Sequence, residues 1–187
     1  LVSKQTTGAI NHKDDIEDQG IIRRGRETVW MKYGVPQAIN AGDALFALVY
    51  SSALHLLPAV SKDKVIQVIT LLTEACVKLT GGQHLDISFE KDKKISVENY
   101  WKMISGKTAS LISTSSRIGA VVAGADREQE DAMGSFGFAL GLAFQVYDDW
   151  LGIWGKSEDT GKSSVCDLIT GKKTLPILFG IEKQGQF

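Results

Sequence analysis

The sequence predicts an all-α fold, and three observations predict it. Only three prolines occur in 187 residues, at Pro36, Pro58 and Pro176. The long stretches between them carry apolar residues at three- and four-residue steps, the spacing of one helix face. Strand signals are scarce, with neither an alternating hairpin nor an internal repeat. The architecture expected is an antiparallel helical bundle.

The elements follow in chain order. The first dozen residues are polar and read as a weak zone. Gln37 to Leu57 forms a helix with Ala38, Ala41, Leu45, Leu48 and Leu56 as its apolar residues. A second helix runs from about Lys62 to Thr80, its apolar face built from Val65, Ile66, Val68, Ile69, Leu72, Ala75, Cys76 and Leu79. Gly81-Gly82 weakens it, and Leu85, Ile87 and Phe89 are placed to continue it. Ser96 is a fair N-cap for a helix through Tyr100, Ile104, Leu111 and Ile118. Asp126 followed by Gln129 resembles a capping box. The helix it starts carries Met133, Phe136, Leu140, Phe144, Tyr147 and Leu151. Trp154 to Thr174 is rich in Gly, Ser and Lys and reads as a loop.

Composition excludes several functional classes. Hydrophobic residues make up 43% and charged residues 23%, so a packed core is expected rather than a disordered or low-complexity chain. The length suits one domain. Net charge is −1, from 21 basic and 22 acidic residues, which leaves no global positive field for nucleic acid. Cys76 and Cys166 are the two cysteines. Without a CxxC they suggest neither a zinc site nor a disulfide framework, and a reducing, cytoplasmic setting fits. The longest apolar run, Phe136 to Phe144, is too short to span a bilayer, and the first residues carry no signal-peptide pattern.

Chemistry concentrates in two acidic clusters. In Asp14-Asp15-Ile16-Glu17-Asp18, Asp14 and Asp18 fall one helical turn apart on one face. Two such carboxylates repel unless a cation lies between them, and a hard divalent ion such as Mg²⁺ suits oxygen ligands. The plainer alternative is a solvated acidic first turn of a helix. The second cluster, Asp148-Asp149, ends a long apolar helix segment and shares a face with Gln145. Acids near a helix C-terminus oppose the macrodipole, so an ordinary helix end explains them less well. Gly134, Gly137 and Gly141 stripe the same side, either for close helix packing or as the floor of a site for a long apolar ligand. Basic residues are interspersed: Arg23, Arg24, Lys107 beside Thr108, Lys162, and Lys172-Lys173. Together they suit a diphosphate, with Arg and Lys neutralising what Mg²⁺ does not. The Gly161-Lys162-Ser163 segment lacks the upstream glycine of a P-loop.

These segments, taken in order, resemble the trans-isoprenyl diphosphate synthase (polyprenyl synthetase) family, bacterial type. The resemblance begins with Asp-Asp-Ile-Glu-Asp at 14–18, Arg23-Arg24-Gly25 and Thr28-Val29-Trp30. It continues through Gln37-Ala38-Ile39-Asn40-Ala41-Gly42-Asp43, Gly82-Gln83-His84-Leu85-Asp86 and Lys107-Thr108-Ala109. It closes with Phe144-Gln145-Val146-Tyr147-Asp148-Asp149, Asp167-Leu168, and Gly171-Lys172-Lys173-Thr174-Leu175-Pro176.

The resemblance implies an isoprenoid-synthase-type bundle around a deep central cavity. It implies head-to-tail, Mg²⁺-dependent condensation of an allylic diphosphate with isopentenyl diphosphate through a carbocation, giving a longer trans-polyprenyl diphosphate. About three Mg²⁺ ions are expected, their role being to stabilise the leaving group's charge. Carried over residue by residue, Asp14 and Asp18 hold two ions with Asp15 in support, and Asp148 holds the third with Asp149 close by. Arg23, Lys107 and Lys162 bind the allylic diphosphate, and Arg24 faces isopentenyl diphosphate. Thr108 and Gln145 shape the pocket at the reacting carbons, while Gln83, Asp86 and Lys172 are supporting or diphosphate contacts. Ala9 falls at the position that sets product length in the family, and its small size permits a longer chain. A homodimer is implied, and no nucleic-acid partner.

The chain departs from the family pattern at Gly152, where many members carry a third aspartate, and in its polar first residues. The upstream Gly-Lys-x-x-Arg segment and the closing helices are absent from the sequence, so a single domain over 1–187, incomplete at both ends, is expected. The alternative function is a non-catalytic subunit or degenerate paralogue acting by partner binding. A di-iron bundle would need Glu-x-x-His pairs, which do not occur. The Gly-Gln-His-Leu-Asp and Gly-Lys-Lys-Thr-Leu-Pro segments favour chain elongation over a cyclase or a head-to-head synthase.

Overall fold

Polar side chains do not keep the start of the chain out of a helix. In the computed structural model, which describes residues 2–23, 25–92, 95–155 and 172–182, α1 runs Val2–Glu17. Of the first dozen residues, expected to be a weak zone, all those described, from Val2 onward, are therefore helical. The reason is local: no proline occurs here, and Thr6 and Ala9 are buried at 0% and 2% exposure, so one face still packs. A short antiparallel pair follows, β1 (Ile22–Arg23) with β2 (Arg26–Glu27), in the register Ile22 to Glu27 and Arg23 to Arg26. Sequence alternation gave no sign of it, because each strand is two residues long. Its turn depends on Gly25 at φ +73, where a side chain would be strained.

The helices continue as α2 (Val29–Tyr33), α3 (Val35–Leu54), α4 (Lys62–Lys91), α5 (Val97–Ile104), a π-helical turn (Ser105–Ala109), α6 (Ser110–Ala123), α7 (Arg127–Trp154) and α8 (Leu175–Glu182). The expected all-α class holds. Gly81 and Gly82 do not end α4. The helix expected from Ser96 through Ile118 is interrupted by the π turn. Both capping assignments hold: Ser96 Oγ accepts from Asn99 N, and Asp126 and Gln129 exchange the two bonds of a capping box.

The chain falls into two compact units, residues 1–69 and 70–187. In the first, α1 and α2 pack on α3. Gly42 on α3 lies so close to α1 that a Cβ there would meet the Ala9 carbonyl at 3.3 Å. Lys13 and Asp43 add an exposed ion pair at 3.3 Å.

In the second unit α6 lies along α7, and both touch the π turn. Phe89, Tyr100, Met103, Ile104 and Leu178 form its buried cluster, with Leu142 and Val146 packed against it. The face of α7 turned inward is the glycine stripe. A Cβ on Gly137 would lie 2.8 Å from the Ile112 carbonyl oxygen, and one on Gly141 would lie 2.6 Å from Ala109 Cα. Close packing, not a ligand floor, therefore accounts for the stripe. The aromatic series is left outside, with Phe136 59% and Phe144 55% exposed, and Tyr147 stacks on Trp150. Periodicity identifies a face but not what covers it.

Among the described residues α4 is the one helix long and apolar enough to cross a membrane by length and composition. It exceeds the run named from sequence because polar residues interrupt its apolar ones. Val65, Val68, Leu72 and Ala75 on it are buried within the protein.

Candidate active site

Two glycine crossings build the site in the second unit. At the first, α4 meets the π turn backbone to backbone. A Cβ on Gly82 would fall 2.1 Å from Lys107 N, and one on Gly106 would fall 2.8 Å from the Lys78 carbonyl oxygen. Only glycine on both sides allows that approach. Asp86 lies one helical turn beyond Gly82, and the Lys107 ammonium donates to its carboxylate. Gln83, next to Gly82, is buried. The π turn carries one extra residue per turn, a distortion often found at functional sites. Ser110 Oγ donates to the Gly106 carbonyl at 2.6 Å across it.

At the second crossing Gly141 meets Ala109, and Gln145 follows one turn later on the same face of α7. Thr108 Oγ1 donates to Gln145 Oε1 at 2.6 Å. Gln145 Nε2 donates to Asp149 Oδ1 at 2.9 Å. Asp149 Oδ2 accepts from Tyr100 Oη at 2.7 Å and from Leu175 N at 3.1 Å, the first residue of α8. Burial foremost, then the hydrogen bond to Asp149 and its charge, push the Tyr100 phenol well above its ordinary pKa. Asp149 is 6% exposed, so both of its oxygens serve protein donors inside the fold.

Around these groups is a polar hollow of about 70 Å³. Its lining includes Asp86, Lys107, Gln145, Asp148, Lys172 and Lys173. Three lysines and three carboxylates share the hollow once Asp149 is included. The structure thus brings together six of the residues expected from sequence: Lys107, Gln145, Asp86, Lys172, Asp148 and Asp149. Thr108 joins through its bond to Gln145. Tyr100 was missed as a site residue, because it reads as one member of an apolar helix face. The available signal was its hydroxyl, since a buried phenol needs a partner.

The first unit positions the other acids. Asp14 and Asp18 lie at the C-terminal end of α1, not in a first turn, and Asp18 N donates to the Asp14 carbonyl at 2.8 Å. The plainer reading of a macrodipole-favoured first turn therefore fails. Asp15 points inward at 4% exposure and accepts from Arg23 Nε at 2.6 Å. Gln19 leaves the helix at φ +52, and Thr28 Oγ1 and Trp30 Nε1 each donate to the Gly20 carbonyl at 2.8 Å. These bonds hold the loop that returns Arg23 to Asp15. Ala9 is buried in the same unit. Arg24 and Lys162 lie outside the described residues.

The donor chemistry fits magnesium. Asp14, Asp18 and Asp148 supply hard carboxylate oxygens. Among the described residues no three His, Cys, Asp or Glu side chains gather round one point.

The profile of the polyprenyl synthetase family matches residues 12–186. The geranylgeranyl diphosphate synthase of Sulfolobus acidocaldarius is 40% identical over 169 residues, which cover 90% of this chain and 51% of that protein. The crystal structure of a polyprenyl synthetase from Streptomyces coelicolor superposes with a TM-score of 0.89 at 39% identity, over 98% of this chain and 53% of that one. The geranyltransferase of Helicobacter pylori, solved with magnesium and isoprenyl diphosphate, gives 0.87 at 28% identity, over 98% and 60%. The chain spans about half the length of the curated relatives it matches.

Proposed function

This chain belongs to the polyprenyl synthetase family, and on that premise we propose that it condenses an allylic diphosphate with isopentenyl diphosphate to give a longer prenyl diphosphate. The observation that carries the reading is the polar hollow where Lys107, Gln145, Asp148 and Lys172 meet. A diphosphate has the charge and size for such a mixture of lysines and metal-binding carboxylates. The Helicobacter relative holds both a magnesium ion and an isoprenyl diphosphate.

Asp14, Asp18 and Asp148 are the residues that would hold magnesium, which would supply positive charge to a departing diphosphate. The chain's own groups do the rest. Lys107 and Lys172 neutralise phosphate oxygens, and Asp86 holds the Lys107 ammonium in place. Arg23 has four further N–H donors beyond the Nε bonded to Asp15, and with Arg24 and Lys162 it serves the diphosphates. The allylic carbon–oxygen bond breaks with its electron pair leaving on the diphosphate. The double bond of isopentenyl diphosphate then attacks the cationic carbon, and a proton is lost from the adduct. Gln145 Oε1 and Thr108 Oγ1 offer oxygen lone pairs to the developing positive charge. Self-association as a homodimer belongs to the same reading, supported by the exposed apolar residues Phe46, Leu48 and Leu54 on α3.

The test is product analysis with isopentenyl diphosphate and dimethylallyl, geranyl or farnesyl diphosphate in turn, across a Mg²⁺ series. The expected result is a prenyl diphosphate one or more five-carbon units longer than the primer. No elongated product with any primer at any Mg²⁺ level overturns the proposal. Sedimentation of the same sample reads the dimer.

A further inference from the structure

We infer that Asp149 is a positioning residue that anchors the Gln145 amide, not a magnesium ligand, and that Tyr100 and the start of α8 hold it in that task. The inference rests on the prenyl-transfer reading and deepens it.

Asp149 and Asp148 are chain neighbours with different surroundings. Both border the hollow, but Asp148 is half-buried whereas Asp149 is 6% exposed. An ionised carboxylate has about four acceptor directions. Tyr100 Oη and Leu175 N take two on Oδ2, and Gln145 Nε2 takes one on Oδ1. The donors come from three elements, α5, α7 and α8. A carboxylate so engaged is compensated by the protein itself and needs no cation to remain buried.

The bond to Gln145 has a directional consequence. A primary amide is nearly symmetric in shape, so its partners decide which end faces where. An ionised carboxylate can only accept, so the Gln145 NH₂ must face Asp149. Its Oε1 must then face Thr108, which donates to it at 2.6 Å. The chain of donors therefore presents the negative end of the Gln145 dipole on the Thr108 side. A reaction that develops positive charge at carbon requires that end and no other. With asparagine at 149, position 149 can donate as well as accept. The Gln145 amide then loses its imposed direction and can turn its N–H toward Thr108.

The test uses four variants of the whole chain: Asp149→Asn, Tyr100→Phe, Asp148→Asn and the double variant Asp149→Asn/Gln145→Ala, with Gln145→Ala as reference. In EDTA, with no metal present, Asp149→Asn and Tyr100→Phe are expected to melt about 5 °C below the parent. A metal ligand behaves oppositely, because removing a charge from an ion-free acidic cluster leaves the melting point unchanged or raises it. In turnover, Asp149→Asn is expected to lower kcat about tenfold or more with KM for both diphosphates unchanged. Its Mg²⁺ half-saturation stays at the parent value, whereas Asp148→Asn raises it about tenfold or more. In the Gln145→Ala background, Asp149→Asn adds no further loss of kcat, which a merely structural defect would not reproduce.

Three results overturn the inference: a metal-free melting point for Asp149→Asn at or above the parent's, a Mg²⁺ shift equal to that of Asp148→Asn, or kcat losses that multiply in the double variant. If the parent forms no prenyl product, the transferase reading fails instead. The metal-free melting comparison then still decides whether Asp149 is held by the protein or waits for an ion.

Discussion

Gly82→Ala adds one methyl group where α4 crosses the π turn. Its three nearest atoms would be Lys107 N at 2.1 Å, Gly106 C at 2.7 Å and Lys107 Cα at 2.8 Å. All are backbone, so no side-chain rotation relieves the clash. Ordinary contact begins at 3.4 Å, so the π turn must retreat by about 1.3 Å. Overpacking of this kind costs about 1–3 kcal/mol, and the better helix propensity of alanine returns up to about 1 kcal/mol. The net loss is about 1–2 kcal/mol, or about 2–8 °C in melting temperature for a chain of this size. Lys107 moves with the turn, and a displacement of about 1 Å at a reacting group lowers turnover about a hundredfold. Gly81→Ala is the internal control: it lies on the same helix and has nothing within 4 Å. It gains the propensity term without the clash and is expected to melt at or slightly above the parent. Thermal unfolding followed by circular dichroism, beside product formation, reads both. If the two variants melt within about 1 °C of each other, the backbone contact at Gly82 does not constrain the turn, and the account of how Lys107 is placed is wrong.

Other consequences are testable with the same protein. Asp126→Ala removes a bond to Gln129 N of 2.8 Å and unpairs the capping box of α7, and is expected to lower stability by about 1 kcal/mol in urea unfolding. Tyr100 has its folded-state pKa raised, so its contribution is fully present below about pH 10, its unfolded value, and declines as pH climbs from there toward the folded value. Urea titrations above that pH should show parent stability falling faster than that of Tyr100→Phe, by up to about 1.4 kcal/mol per pH unit; parallel slopes would mean the phenol is not buried against Asp149. Arg23→Met leaves buried Asp15 without its Nε donor. Because the Arg23 side chain is 40% exposed, the expected loss is about 1 kcal/mol after solvent screening, and it should shrink in roughly 1 M salt.

Much of this protein was decided by local chemistry, and that part was legible in the chain. Three- and four-residue apolar spacing placed α3, α4 and α7, and the two caps at Ser96 and Asp126 act through bonds three residues long. The ordered motifs identified the candidate residues, and Lys107, Gln145, Asp86, Asp148 and Lys172 do share one hollow. Asp14 and Asp18 fall on one face of a helix because four residues make about one turn.

What the chain could not state is how separate segments press on one another. Periodicity marked an aromatic face on α7, but the glycine face was the one buried, because backbone contact at Gly137 and Gly141 requires the absence of a side chain. A helix pattern in α5–α6 hid the extra residue of the π turn, which places Ala109 against Gly141. Asp148 and Asp149 look alike in sequence and border one hollow, yet the first is half-buried and the second is buried among three donors from α5, α7 and α8. A carboxylate's role follows from which donors reach it, and donors 49 and 26 residues away along the chain arrive only when it folds.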